Sequence, residues 1–200
     1  MLADWNTRVN LTAITAPEDV AKKHFLDSLA AAPYLMTGAS VVDVGTGAGF
    51  PGLPLLILRP DLQVTLIDSL QKRLVFLEAV LKALGLKATL VHARAEDAGQ
   101  NPLYRERFDA ALTRAVSALP VLCELTLPLV KIGGASIAYK GDAAEELAAS
   151  GHALNVLHAT AQRVVIAADY GARELVILTK TGSTPKQYPR KAGTPAKAPL

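Results

Sequence analysis

Short apolar runs recur along the chain, and most of them stop in an acid, a cation or a glycine. They are Val41–Val44, Asp61–Ile67, Ala88–His92, Phe108–Arg114, a run from Gly133-Gly134 through Tyr139, Val164–Ala168 and Glu174–Thr179. Runs this short, rich in Val, Ile and Leu and closed by turn residues, read as strands, most of them buried on both faces. Between them the period changes. Leu70, Leu74, Leu77, Leu81 and Leu84 recur at three- and four-residue steps, with Lys72, Arg73 and Lys82 mostly off that face, until Gly85 ends the run. That is an amphipathic helix laid on a sheet, and its leucines are core. Leu119–Val130 reads as a second helix, begun at Pro120 and bent or ended near Pro128, and Asp142–Gly151 as a third. Only Asp169–Arg173 separates the last two runs, so they must pair antiparallel, because a parallel crossover needs about a dozen residues. The expected fold class is α/β: a mostly parallel seven-stranded sheet closed by an antiparallel hairpin.

Ahead of the first strand, Thr15-Ala16-Pro17-Glu18 opens a helix with a cap and a proline in the first turn. Val20, His24, Phe25 and Leu29 fall on one face, with Lys22 and Lys23 toward solvent. His24, Asp27 and Ser28 form a polar group within one turn, read as a hydrogen-bonding knot that fixes the segment on the domain. Residues 1–40 are thus an N-terminal helical segment, 41–180 the main domain, and 181–200 a basic, proline-rich C-terminal arm.

From Val41 the chain reads Val-Val-Asp-Val-Gly-Thr-Gly-Ala-Gly-Phe-Pro-Gly. A buried strand turns sharply into a loop there, with a helix beyond. Gly45, Gly47 and Gly49 stand where a side chain would block a positive-φ turn or the approach of backbone to a ligand. Amides at the start of the helix would attract negative or polar ligand groups. Such a loop serves a nucleotide-type cofactor. Gly47-x-Gly49-x-x-Gly52 also satisfies the dinucleotide pattern, but Asp43 favours S-adenosylmethionine. A carboxylate at the strand end can act near the ammonium of a methionyl group and would repel a pyrophosphate. Asp68, 19 residues beyond Gly49, ends the second strand, placed to accept hydrogen bonds from ribose hydroxyls and to cap the next helix. The loop after the third strand lines the adenine edge in such a sheet, which makes Ala95 and Glu96 candidates to contact the base. His92 reads as a buried or rim histidine rather than a base.

The exit of the fourth strand is where the chemistry of such a sheet would sit. Enzymes that methylate exocyclic amines commonly carry Asn/Asp-Pro-Pro-aromatic there, and this chain has Thr113-Arg114-Ala115-Val116 instead. Carbon-5 pyrimidine methylation needs a thiolate, but Cys123 lies in the apolar Leu122-Cys123-Glu124-Leu125. Arg114 can bind a carboxylate, a phosphate or the O6 and N7 edge of guanine, and cannot act as a base. A salt bridge at a helix start is its other reading. Lys140 stands at the next strand end. Arg114 and Lys140 are the candidates to orient an anionic or acceptor-rich target.

The 200 residues suit one α/β domain, with 50% hydrophobic and 20% charged residues. A dehydrogenase would run on into a further parallel unit and a substrate domain, for which there is no length. No apolar run reaches the length of a membrane span and no signal peptide opens the chain, so a cytoplasmic protein is expected. The lone Cys123 offers neither an internal disulfide nor a multi-cysteine metal site, and no metal is expected. The net charge is +3, yet no acid follows Glu174, while Lys180, Lys186, Arg190, Lys191 and Lys197 do. That basic arm has no helical or strand period and suits ordering on an anionic partner such as RNA.

Taken together, these residues resemble the RsmG (GidB) family of bacterial 16S rRNA guanine-N7 methyltransferases. The matching pieces are Trp5-Asn6 with Asn10-Leu11-Thr12, His24-Phe25-Leu26-Asp27-Ser28, the glycine loop through Phe50-Pro51-Gly52, Leu66-Ile67-Asp68-Ser69, Thr113-Arg114-Ala115, Gly171–Lys180 and Tyr188–Pro195. Gly-Phe-Pro-Gly together with His-Phe-Leu-Asp-Ser is far more specific than the glycine loop alone. The resemblance implies a class I methyltransferase (Rossmann-like) fold. It also implies methylation of N7 of one guanine in the decoding region of the small subunit, with 16S rRNA or the 30S subunit as partner. Gly45, Phe50, Ala95 and Glu96 would bind cofactor, and Arg114 would lie between cofactor and target. A methyltransferase acting on a small molecule or protein is the alternative; a nucleotide-binding regulatory module is a third.

Overall fold

The computed structural model describes all 200 residues, Met1–Leu200. Seven strands, β1 (Ser40–Val44), β2 (Gln63–Asp68), β3 (Thr89–His92), β4 (Phe108–Arg114), β5 (Val130–Lys140), β6 (Ala159–Val165) and β7 (Glu174–Lys180), form one sheet in the order β3-β2-β1-β4-β5-β7-β6. The first five run parallel, and β7 alone is antiparallel to its neighbours β5 and β6. Strand order reverses between β1 and β4, which opens a crevice at the carboxyl ends of the strands. The connecting α-helices are α1 (Leu2–Asn6), α2 (Pro17–Val20), α3 (Gly52–Leu58), α4 (Gln71–Leu84), α5 (Ala95–Gln100), α6 (Leu119–Thr126), α7 (Ala144–Ala149), α8 (Gly151–Val156) and α9 (Thr194–Lys197). None is long and apolar enough to cross a membrane.

Alternate side chains of each strand serve opposite layers, as a period of two dictates. Val41, Leu66, Leu112, Ile137 and Ile177 share a core with α3 and α4. Val42, Val44, Ile67 and Ala111 pack with Ala98 of α5, and Ala138, Val176 and Leu178 with α6 and α8. Covering both faces is why the central strands read as unbroken apolar runs. On α4, Leu74, Leu77 and Leu81 are buried, but Leu70 and Leu84 are exposed, because they stand at the N-cap and the last position of the helix. The sixth strand starts at Ala159 rather than Val164: it is an edge strand whose polar Thr160, Gln162 and Arg163 dilute the apolar pattern. The helix expected over Asp142–Gly151 is α7 alone, and after a break at Ser150 a further helix that was not expected, α8, begins at Gly151.

The N-terminal segment continues from α2 through a π-helical turn, Ala21–Leu26, and a 3-10 stretch, Leu29–Tyr34. Trp5 packs on Phe76 with ring centroids 5.6 Å apart. The C-terminal stretch differs from expectation. It is not an extended arm but is folded back against α5 and α6. The buried ammonium of Lys180 donates to Glu106 and to the carbonyls of Leu127 and Val130. Arg105 donates to the carbonyls of Thr184, Pro185 and Tyr188, and Arg190 pairs with buried Glu124 at 2.6 Å. Two of the five late cations are therefore neutralised internally, leaving Lys186, Lys191 and Lys197 exposed. Polar contacts between residues this far apart leave no period in a sequence.

Candidate active site

Two clefts meet at the carboxyl ends of the strands. The first runs from the exit of β1 to the exit of β3 and is lined by Gly45, Asp68, Ala95, Glu96, Val116 and Ser117, among others. Four of the residues expected at the cofactor thus share one cleft: Gly45, Asp68, Ala95 and Glu96. Gly45 has φ +68°, and a Cβ there would stand 2.8 Å from Val116 Cγ2, so the backbone itself walls the cleft. Asp68 accepts N–H groups from Gly47 at 2.9 Å and Leu70 at 2.9 Å. It therefore shapes the glycine loop and the turn leading into α4 while facing the cleft, but it does not cap the helix: the N-cap position is Leu70, which has no side-chain cap bond. Glu96 is already engaged: its Oε1 accepts the N–H of Gly193 at 2.8 Å. Gly193 and Ala196 line the same cleft.

The rest of the glycine loop is consumed internally. Gly45 and Thr46 donate to the Ile67 carbonyl, Phe50 to Thr46 and Leu53 to Gly49, so the expected bare amides at the start of α3 are already paired. Asp43, expected near the methionyl ammonium, is fully buried beneath the loop and does not line the first cleft. Its Oδ2 accepts from the Thr46 hydroxyl at 2.7 Å and the Gly52 N–H at 2.9 Å, while Oδ1 has no partner. A Cβ on Gly52 would meet that carboxylate at 2.8 Å, which is why glycine stands there. Burial pushes the Asp43 carboxyl up to about 6. Gly47 and Gly49, with φ of +58° and +91°, bend the loop without lining the cleft.

The second cleft lies across a turn. Ala115 adopts φ +56°, a left-handed conformation that costs a non-glycine residue about 1 kcal/mol. The kink turns Arg114 and Ala115 into the second cleft and Val116 and Ser117 into the first. With them in the second cleft stand Lys23, His24, Asp27, Tyr139, Lys140 and Arg173. Arg114 is not a free guanidinium. It donates to the Lys23 carbonyl at 3.0 Å, to Asp27 at 3.1 Å and to His24 Nδ1 at 3.0 Å. His24 then has Nε2 protonated toward the Thr12 hydroxyl, 2.7 Å away. Burial, and then the charge of Arg114, hold its pKa below the ordinary histidine value. Lys140 is likewise engaged, with Glu146 at 2.7 Å and the Ser117 carbonyl at 2.8 Å. Phe50, expected at the cofactor, is buried outside the first cleft and stacks on His24, centroids 4.5 Å apart at 14°. The His24, Asp27 and Ser28 knot does fix the N-terminal segment: Tyr139 donates to the Ser28 carbonyl at 2.6 Å.

Residues 1–176 match the family model of GidB, rRNA small subunit methyltransferase G. The chain belongs to this family. The ribosomal RNA small subunit methyltransferase G of Desulfitobacterium hafniense (strain Y51) is 52% identical over 204 residues, spanning 100% of this chain and 85% of that protein. Its namesake from Halalkalibacterium halodurans is 50% identical over 206 residues, spanning 100% and 87%. A methyltransferase structure from Pyrococcus furiosus superposes with a TM-score of 0.65 at 13% identity, over 90% of this chain and 94% of that one. A SAM-dependent methyltransferase from Aquifex aeolicus gives 0.58 at 20% identity, over 81% and 93%. At such identities these structures speak for the class I methyltransferase fold alone. Membership of the GidB family carries the reaction class, methyl transfer from S-adenosylmethionine.

The first cleft of this GidB chain fits that cofactor. Asp68 lies midway; Gly47 and Arg73 take its Oδ2 and Leu70 one side of its Oδ1, which leaves Oδ1 room to accept one ribose hydroxyl, and the apolar walls Ile67, Ala93, Val121 and Leu125 suit a purine. Val116, Ser117, Gly193, Ala196 and Arg173 were not among the residues expected from sequence. Only the departure at Thr113-Arg114-Ala115 from familiar strand-exit motifs marked the turn.

Proposed function

We propose that the protein transfers the methyl group of S-adenosylmethionine to N7 of a guanine in 16S rRNA of the small ribosomal subunit, the base entering the second cleft. The observation that carries this reading is the charge of that cleft. Lys23, Arg114, Lys140 and Arg173 line it with Asp27 as the one carboxylate of the lining, and Asp19 and Glu146 pair with Lys23 and Lys140 from beside it, so the cations exceed their acids by one. Such a lining favours a polyanion over an uncharged small molecule.

S-adenosylmethionine supplies a methyl group made electrophilic by its sulfonium. Guanine N7 brings an in-plane lone pair and has no proton to lose, so alignment for in-line attack is sufficient. The side chains agree with a reaction that needs no base. His24 has both ring nitrogens engaged, burial raises the Tyr139 hydroxyl well above its ordinary value, and the Cys123 thiol is pushed up to about 12. The base gains positive charge as N7 is alkylated. Cations already paired with Asp27 and Glu146 oppose that charge less than bare ones would.

Labelled methyl transfer to 30S subunits and to naked 16S rRNA, each from cells lacking this enzyme, tests the reading. Label recovered as 7-methylguanosine is the expected result, and the better substrate shows whether the assembled subunit is recognised. Label in another nucleoside, or only in protein or small molecules, would overturn it. The reading places the protein in the cytoplasm, with the ribosome.

A further inference from the structure

The C-terminal tail is built into the first cleft. α5 contains Gly99, a residue that costs about 1 kcal/mol inside a helix. A Cβ on it would meet Pro189 Cγ at 2.7 Å, so the missing side chain is the seat of the tail. Gln100 donates to the Pro189 carbonyl at 2.7 Å. Glu124 of α6, with no exposed surface, accepts from Arg190 N at 2.7 Å, Nε at 2.9 Å and Nη2 at 2.6 Å. Its side-chain partner is the tail. Three residues on, Gly193 at φ +83° donates to Glu96, and Gly193 and Ala196 reach the cleft.

We propose that Gly193–Ala196 form the wall of the S-adenosylmethionine cleft at its base-binding end. The direction follows from the sheet. Asp68 at the end of β2 marks the ribose, and Gly45 and Ser117 lie toward the β1 and β4 exits. The purine then lies beyond Asp68, among Ala93–Glu96, Val121, Leu125 and the two small tail residues. Small side chains on one side and branched apolar ones on the other leave a slot for a planar ring. This part of the chain lies beyond the residues 1–176 that match the family model. The proposal does not depend on which nucleic acid is methylated.

Two full-length variants unseat the tail from different places. Gly193→Val puts a branched residue at a positive φ where nothing else lies within 4 Å. Gly99→Ala pushes on Pro189 while improving the helix propensity of α5. Calorimetric titration with S-adenosylhomocysteine and with 5′-methylthioadenosine, alongside thermal melts, reads the effect. Both ligands should lose affinity by the same factor, about tenfold, with melting cooperative in at least one variant. Unchanged affinity for both ligands in a folded variant would overturn the proposal, and so would a loss confined to S-adenosylhomocysteine, which would place the effect at the amino-acid end. Failure of the unmodified chain to bind either ligand would remove the cofactor assignment and the proposal with it.

Discussion

The guanidinium of Arg114 and the carboxylate of Asp27 meet at 3.1 Å, and this pair ties the N-terminal segment to the exit of β4. Asp27 holds Arg173 Nε on its other oxygen at 3.2 Å. Removing the carboxylate would leave two cations in one cleft without their acid. Asp27→Ala is expected to lower stability by about 2–4 kcal/mol. Methyl transfer should fall further than affinity for S-adenosylhomocysteine, because the damage lies in the second cleft. Denaturant unfolding with calorimetry checks both, and a variant as stable as the parent would mean the pair contributes nothing.

Arg114→Lys separates charge from geometry. An ammonium cannot serve the Lys23 carbonyl, Asp27 and His24 at once as the planar fork does. Transfer should drop by about 10- to 100-fold with cofactor affinity nearly unchanged. Equal losses in both quantities would move Arg114 to the cofactor side of the turn.

Much of the fold was legible because it is written in periods. Strands covered on both faces appear as apolar runs, and α4 announces itself by its leucines and Gly85, whose φ of +64° closes the helix. What stayed hidden is polar pairing across long separations. Glu124 sits among leucines 66 residues before Arg190, and nothing local says that the acid is buried. The same holds for Arg114 and Asp27, 87 residues apart: each was picked out, but their mutual neutralisation was not. The place of Asp43 beneath the loop is likewise not written locally, because a strand-end acid can line the cleft or brace the loop from below, and only packing decides.

The buried pair under the tail makes its own prediction. Glu124→Gln keeps the shape but turns an acceptor toward Arg190 into a donor. A loss of about 2–4 kcal/mol is expected, and trypsin should cut near Arg190 and Lys191 faster than in the parent. Equal cleavage rates would mean that the tail opens freely in the native protein.

Asp43 separates a charge role from a hydrogen-bonding role. Its carboxyl is raised by burial from 3.8 to about 6 in the folded chain, so the folded state binds the proton more tightly than the unfolded one. That contribution is fully present below pH ~4 and is lost as the pH rises through ~6, leaving a cost on the order of 2–3 kcal/mol at neutral pH. Asp43→Asn retains an oxygen for the Thr46 hydroxyl and the Gly52 N–H but cannot ionise. Relative to the parent it should therefore gain stability between pH 4.5 and 7 and no more above that range, while binding S-adenosylhomocysteine almost as well. Asp43→Ala removes the acceptor and should lose both stability and affinity. Melting curves across pH with parallel titrations decide the matter. If Asp43→Asn loses affinity as severely as Asp43→Ala, the negative charge itself reaches the ligand, and the carboxylate does more than hold the glycine loop from below.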